Sequence, residues 1–323
     1  MNSKNVIAIC AYNKPDLLYL YLEQLYSDPL YLQDFIIEIH TEEGYDKEQD
    51  LVLDIYRNKT PKIEIKQIVK KKNPEDALVG FRNIVSSYFE PDFQPRTCDF
   101  VIVGEEDILP TRDYLRFNTY VYEEFLKKYP RIMGAAHKRR PETEMQGDPE
   151  VLIGDYQCTS LSVISARVIN EHLLPFATSK ALYSNPIGFY SAIFSESRMN
   201  PREHTHHDGF VERVMEAEKL FVLKPDQARS MHVGLSGIFC KGKAPEGTLE
   251  ERVAEWKELI KDGDKLRSLS THPQDMVVTD PFGPAWDKLI LDPDRNLAKA
   301  SSWWYDTKNE FKTYVEESNF NGS

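Results

Sequence analysis

The stretch Val101-Ile102-Val103-Gly104-Glu105-Glu106-Asp107-Ile108-Leu109-Pro110 holds the densest chemistry in the chain. An apolar run ends in three consecutive carboxylates, followed by an apolar pair and a proline. Nothing in folding asks for three like charges at the end of a buried strand, because they repel. A divalent cation relieves that repulsion, and hard oxygen ligands suit Mg²⁺ and Mn²⁺. The same residues also read as a solvated acidic turn that caps the helix after Thr111. The position at a strand end favours the metal.

Other groups could also do chemistry. His204-Thr205-His206-His207-Asp208-Gly209 gathers three imidazoles and a carboxylate. Three histidines in one loop can bind zinc, but no cysteine or further ligand motif supports that here. Asp208, at a helix start, is the better candidate. As an ionised carboxylate it can take a proton from an attacking hydroxyl, or it can cap the helix by accepting a backbone N–H. Lys70-Lys71-Lys72 and His137-Lys138-Arg139-Arg140 are basic runs. They read as solvated faces or, being next to strand ends, as phosphate holders for a donor or for a phosphorylated or nucleic-acid acceptor. Cys10, Cys98, Cys158 and Cys240 match no zinc motif and no disulfide framework, which leaves reduced, buried thiols.

These residues must be positioned by elements, and the first half of the chain alternates them regularly. Strands are expected at Val6–Ala11, Asp34–His40, Ile63–Val69, Asp99–Val103 and Ile132–Ala136. Helices are expected at Leu17–Leu25, Lys47–Asn58, Asp76–Phe89 and Tyr114–Lys128. Such alternation implies a mostly parallel sheet covered on both faces. Ligands then sit outside the carboxyl ends of the strands. The second half is less regular. Lys138–Asp155 reads as a charged loop, Cys158–Ile164 as a strand and Ala166–Leu174 as a helix. Leu182–Arg202 reads as a long connection, with a helix from Asp208 to about Lys219 and short strands at Leu220–Leu223 and Arg229–Val233. A charged helix, Thr248–Lys261, precedes a Pro- and Asp-rich tail containing Trp286, Trp303 and Trp304.

The strand–Glu-Glu-Asp–Ile-Leu-Pro segment resembles the DXD-type metal motif of GT-A glycosyltransferases, closest to the Glu-Asp-Asp variant of the N-acetylglucosaminyltransferase I type. Ile7-Ala8-Ile9-Cys10-Ala11-Tyr12-Asn13-Lys14-Pro15-Asp16-Leu17 resembles the first strand and loop of family 2 glycosyltransferases, and Gly80-Phe81-Arg82-Asn83 resembles their Ala-Arg-Asn signature. Arg229-Ser230-Met231-His232-Val233-Gly234 is similar to a late His-x-Gly in many GT-A enzymes. The likeness covers about the first 235 residues. It implies a nucleotide-sugar donor held by Ala11, Tyr12, Asn13, Lys14, His40 and Glu42 around base and ribose. It further implies Glu105 at the ribose or the metal's waters, Glu106 at the donor sugar, and Arg82 at the donor phosphates or the carboxylates. Asp107 and His232 would hold Mn²⁺ or Mg²⁺, and Asp208 would be the base of an inverting reaction. This chain has His-Asp where inverting members often have Glu-Asp or Asp-Asp. As an ordinary surface residue Arg82 would have no such role, and His232 could equally be a buried histidine with both nitrogens bonded.

The 323 residues suggest about two domains, or one large α/β domain with an appendage. Forty basic against 52 acidic side chains give a net charge of −12, which argues against a general nucleic-acid coat without excluding a local basic groove. Mean hydropathy is −0.51 and no run approaches the ~20 apolar residues of a membrane span. The N-terminus lacks a signal-peptide pattern, so a cytoplasmic protein is expected. The resulting expectation is an α/β chain with a GT-A, Rossmann-like, mostly parallel sheet flanked by helices. Residues 1–240 would form the catalytic domain, split into a nucleotide-sugar-binding half at 1–136 and an acceptor half at 137–240. Residues 241–323 would be a C-terminal helical or irregular appendage packed on it. The expected activity is transfer of a sugar to a hydroxyl acceptor, whether glycan, protein or modified DNA base. The rivals are a viral-type DNA-modifying sugar transferase and a catalytically silent nucleotide-sugar-binding module.

Overall fold

A computed structural model describes residues 4–78, 80–136, 151–155, 161–233, 244–269, 289–292 and 307–321. Its first strands are β1 (Asn5–Cys10), β2 (Phe35–Glu42), β3 (Glu64–Lys70) and β4 (Phe100–Glu105). Between them run α1 (Pro15–Leu25), α2 (Pro29–Leu32), α3 (Glu48–Lys59) and α4 (Phe81–Ser87). Then come β5 (Ile108–Pro110), α5 (Tyr114–Val121), which runs on into one π turn, and the strands β6 (Ile132–Ala136), β7 (Val151–Asp155) and β8 (Leu161–Ser165). Short helices follow: α6 (Ala166–Val168), α7 (Leu174–Ala177), α8 (Lys180–Ser184) and α9 (Pro186–Ile193). The chain continues through α10 (His207–Glu218), β9 (Phe221–Pro225), β10 (Ser230–His232), α11 (Leu249–Lys261), α12 (Gly263–Leu269), β11 (Ile290–Leu291) and α13 (Thr307–Asn321).

Among the described residues nine strands make one mixed sheet in the order β11-β7-β9-β6-β8-β4-β1-β2-β3. The four strands β3-β2-β1-β4 are all parallel, and antiparallel β8 joins them to the other half. This is the α/β, Rossmann-like, mostly parallel sheet expected. Alternate residues of β1 show why both faces need helices. Ile7 and Ile9 pack into a core with α1, α3, α5 and α11, whereas Val6 and Ala8 pack into a second core with α4 and α10. Side chains two apart share a face, so a strand apolar at every position must be covered twice.

α2 and β5 have no counterpart among the expected elements, and three further stretches differ from them. The helix expected from Asp76 begins only at Phe81, because Gly80 sits at φ +76°, a left-handed conformation incompatible with a helix interior. Val151–Asp155, expected as loop, is a strand because it finds an antiparallel partner in β9. Leu182–Arg202 contains most of α8 and all of α9, with Asn185 capping α9 by accepting from Gly188 N–H.

The C-terminal segments enter the same structure. Leu249, Val253, Trp256, Leu259, Phe311 and Val315 belong to the α1-side core, and β11 pairs with β7. Thr248 and Glu251 form a reciprocal capping box that starts α11. The second basic run, His137–Arg140, and Gly234, Cys158, Cys240, Trp286, Trp303 and Trp304 lie outside the described residues. Cys10 and Cys98 are buried free thiols. Among the described residues no helix is long and apolar enough to cross a membrane.

Candidate functional site

Strand order 3-2-1-4 reverses between β1 and β4: α1, leaving β1, covers one face of the sheet, and α4, leading into β4, covers the other. A crevice therefore opens between their carboxyl ends. Cys10 is in register with Glu105, so the loop Ala11–Lys14 and the acidic triplet start side by side. Glu106 N–H donates to the Cys10 carbonyl at 3.0 Å. Both Glu106 carboxylate oxygens accept backbone N–H groups, from Tyr12 at 3.1 Å and Asn13 at 3.2 Å. Glu106 is thus the clasp of the β1 loop. Burial, with Asp107 beside it, lifts its carboxyl to about 7, against the pull of those two N–H groups.

Lys14 precedes Pro15, the first residue of α1, and the proline keeps it out of the helical region. Its ammonium lies 2.5 Å from Asp107 Oδ2. His232 Nε2 lies 3.5 Å from the same oxygen. The small antiparallel pair β5–β10, with His232 opposite Ile108, delivers that imidazole, and Val233 N–H donates to the Asp107 carbonyl at 2.8 Å. Burial works against charge on Asp107, but His232 and Lys14 hold its carboxyl well below the usual carboxylate range.

The start of α10 closes the other side. His207 Nε2 stands 3.2 Å from Asp208 Oδ1 and 3.9 Å from Glu105 Oε1. Despite burial, Asp208 foremost, then Glu105 and Glu212, lift the imidazole to about 9. Desolvation and the neighbouring Asp107 and Asp208 raise Glu105, with His207 opposing. The helix is packed tightly where it begins: a Cβ on Gly209 would lie 1.5 Å from the His204 carbonyl oxygen. The N-cap of α10 is His206, and Asp208 lies inside the first turn, so the capping role considered for Asp208 is not the one it occupies.

Lys14, Glu105, Glu106, Asp107, Asp208 and His232 are therefore brought together. Tyr12 stands at the rim with its hydroxyl 2.6 Å from Lys72 Nζ, and its carbonyl accepts from Asp46 N–H at 2.9 Å. Glu42 faces Lys72 and Asp76, and burial raises its carboxyl. Two residues lie elsewhere. His40 is buried between β2 and α4, with Nε2 3.2 Å from Glu38, and burial lowers its ring to about 4. Its side chain is shut off from any nucleoside by its own sheet face. Arg82 clamps Asp76 through Nε at 2.7 Å and Nη2 at 2.5 Å and stacks on Tyr183 at 4.2 Å, so its fork is spent away from the acidic triplet.

The basic run Lys70–Lys72 splits. Lys70 turns inward to Ser86 and the Asn83 carbonyl, Lys71 is exposed, and Lys72 lies over the Tyr12 ring at 4.9 Å. It forms no continuous phosphate track. His207 is the site residue the sequence argument passed over. Its signal was available as an imidazole directly before the chosen carboxylate. Among the described residues no three His, Cys, Asp or Glu side chains group closely enough to hold a metal ion.

No family model matches the chain, and no curated protein does. Among solved structures it is similar to a mannosyltransferase of Pyrobaculum calidifontis, PcManGT, in complex with GDP-Man and Mn²⁺. The two share 12% identity over 52% of this chain and 46% of that one, at a TM-score of 0.38. It is also similar to S. aureus TarS 1-349, with 11% identity over 70% of this chain and 59% of that one, at a TM-score of 0.42. Against the same protein in complex with UDP the TM-score is 0.41. The chain thus spans roughly half to three-fifths of the structures it matches. A likeness this distant carries no activity with it.

Proposed function

We propose that this protein transfers a glycosyl group from a nucleotide-sugar donor to a hydroxyl acceptor. The observation that carries the reading is the meeting of the β1 and β4 ends at the point where strand order reverses. There Lys14 and His232 flank Asp107, with Asp208 across from them on α10. Ala11, Tyr12, Asn13 and Glu42 would border the nucleoside, and Glu105 its ribose.

In the reaction, the acceptor oxygen forms a bond to the anomeric carbon while the bond from that carbon to the diphosphate oxygen breaks. The electron pair leaves on the diphosphate, and the acceptor proton passes to Asp208. A carboxylate in hydrogen-bond reach is suited to that transfer. Attack and departure on opposite faces invert the anomeric centre. His207, 3.2 Å from Asp208, would orient that carboxylate. Cationic groups fixed in advance, where charge develops on the diphosphate, lower the barrier without reorganisation.

Mn²⁺ or Mg²⁺ on Asp107 and His232 was the expectation from sequence. The donor set fits it poorly: an ammonium already occupies Asp107 Oδ2, both Glu106 oxygens are engaged by peptide N–H groups, and among the described residues no three His, Cys, Asp or Glu side chains group closely enough to hold the ion. The step above therefore uses only the side chains.

A thermal-shift screen of nucleoside diphosphates and nucleotide sugars tests the reading. A ligand at about 100 times its Kd adds ~2.7 kcal/mol of apparent stability. Stabilisation by one nucleotide series, with slow hydrolysis of the matching nucleotide sugar, is expected. Absence of any such shift refutes the proposal. Binding with no hydrolysis or transfer would leave a silent binding module.

A further inference from the structure

The contact between Lys14 and Asp107 bears on which cation faces the departing diphosphate. Lys14 is not a mobile surface lysine. Pro15 fixes its backbone outside the helix, and Leu18 N–H donates to its carbonyl at 3.0 Å. Its side chain is only 17% exposed and that of Asp107 13%. An ammonium has three donors, and one is directed at Asp107 Oδ2. Lys14 also lines a cleft of about 310 Å³, together with Asn13, Asp16 and Arg252.

The acidic triplet is arranged around this ammonium. Glu106 spends both oxygens on the loop that carries Lys14. Asp107 receives Lys14 and His232 on one oxygen. Glu105 leans towards His207. Each carboxylate of the triplet is therefore matched to a donor of the chain itself. A divalent ion on Asp107 would have to expel an ammonium 2.5 Å away or share its carboxylate with it against like-charge repulsion.

We infer that the Lys14 ammonium, anchored on Asp107 at the junction of β1 and β4, is the cation that binds the diphosphate of the nucleotide donor, in the place a divalent metal would take. The inference rests on the nucleotide-sugar reading above. It makes Asp107 an anchor for Lys14, and it makes nucleoside diphosphate binding independent of divalent ions.

The experiment is calorimetric titration of the full chain with UDP, GDP, ADP, CDP and dTDP in turn, in EDTA and in Mn²⁺, for the wild type and for Lys14→Met. The best nucleotide should bind the wild type equally well in both buffers. In EDTA, Lys14→Met should bind it about 10- to 100-fold more weakly, the loss of one hydrogen bond to a charged group. Wild-type binding that collapses in EDTA and returns with Mn²⁺ overturns the inference, as does a Lys14→Met protein that binds normally in EDTA. If Lys14→Met does not fold, the wild-type comparison of EDTA with Mn²⁺ still decides. Binding of none of the five nucleotides in either buffer would overturn the nucleotide-sugar reading itself and the inference with it. Metal-dependent binding would overturn the inference alone.

Discussion

His207 and Asp208, adjacent in sequence at the first turn of α10, face each other through Nε2 and Oδ1 at 3.2 Å, and Glu105 approaches the same imidazole nitrogen at 3.9 Å. Two carboxylates from distant segments would repel across that gap, and a protonated imidazole between them turns repulsion into attachment. The pair therefore ties the end of β4 to the start of α10.

The pH dependence follows from that charge. His207 is lifted in the folded protein from 6.5 to about 9. A raised folded value means that the stabilisation is complete below about 6.5 and is lost as pH rises through about 9. Wild-type Tm should fall between pH 7 and pH 10, and His207→Gln should be less stable at pH 6 with a flatter profile. Parallel profiles for the two proteins would show that His207 carries no such charge.

Asp208→Asn separates catalysis from structure. Asp208 lies within the first turn and is not the N-cap, so the helix keeps its start. Loss of a negative charge near a helix N-terminus costs ~0.3–1 kcal/mol, and removing the carboxylate foremost in holding His207 charged adds to that cost. Loss of a carboxylate base should lower transfer by about 10²- to 10⁴-fold, with nucleotide affinity nearly unchanged. Near-normal turnover by a folded Asp208→Asn protein would require another base or a retaining route.

Arg96 is fully buried and donates to Glu38 at 2.9 Å and to the Ser87 and Tyr88 carbonyls at 2.8 and 3.0 Å. Removing one partner of such a pair costs ~3–5 kcal/mol, because the other charge stays buried. Urea unfolding should show a loss of that order for Arg96→Met. Adding Glu38→Leu should recover part of it, since the orphaned carboxylate goes too. No recovery in the double variant would place the cost in the lost carbonyl bonds.

Trp256 on α11 donates through Nε1 to Asp16 Oδ2 at 2.7 Å, across 240 residues of sequence. Trp256→Phe keeps most of the apolar contact and leaves a buried carboxylate with Arg252 at 3.5 Å as a remaining partner. The expected cost is ~1–3 kcal/mol, visible as a lower urea midpoint. Asp16 follows Lys14-Pro15 directly, so nucleotide affinity should weaken as well. An unchanged midpoint would mean that Arg252 alone satisfies Asp16.

Local sequence was enough to read β1 to β4 and the helices α1, α3 and α5, because apolar spacing is a property of neighbouring residues. Asp76–Gly80 failed as helix on one backbone angle at Gly80, which no periodicity reports. Val151–Asp155 failed as loop because its strand character comes from β9, 67 to 73 residues further on by the pairs Asp155–Val222 and Leu152–Pro225.

The candidate site divides the same way. Sequence alone determined which groups were available: three carboxylates ending a strand, a lysine held before a proline, a histidine in the second half. Tertiary structure decided which of them meet. Sheet order sets β1 beside β4 and so brings Lys14 to Asp107, and the β5–β10 ladder adds His232. It also withdrew His40 and Arg82 to Glu38 and Asp76. The reason is physical: element type follows from local spacing, whereas strand order and register follow from burying all faces at once, a condition on the whole chain.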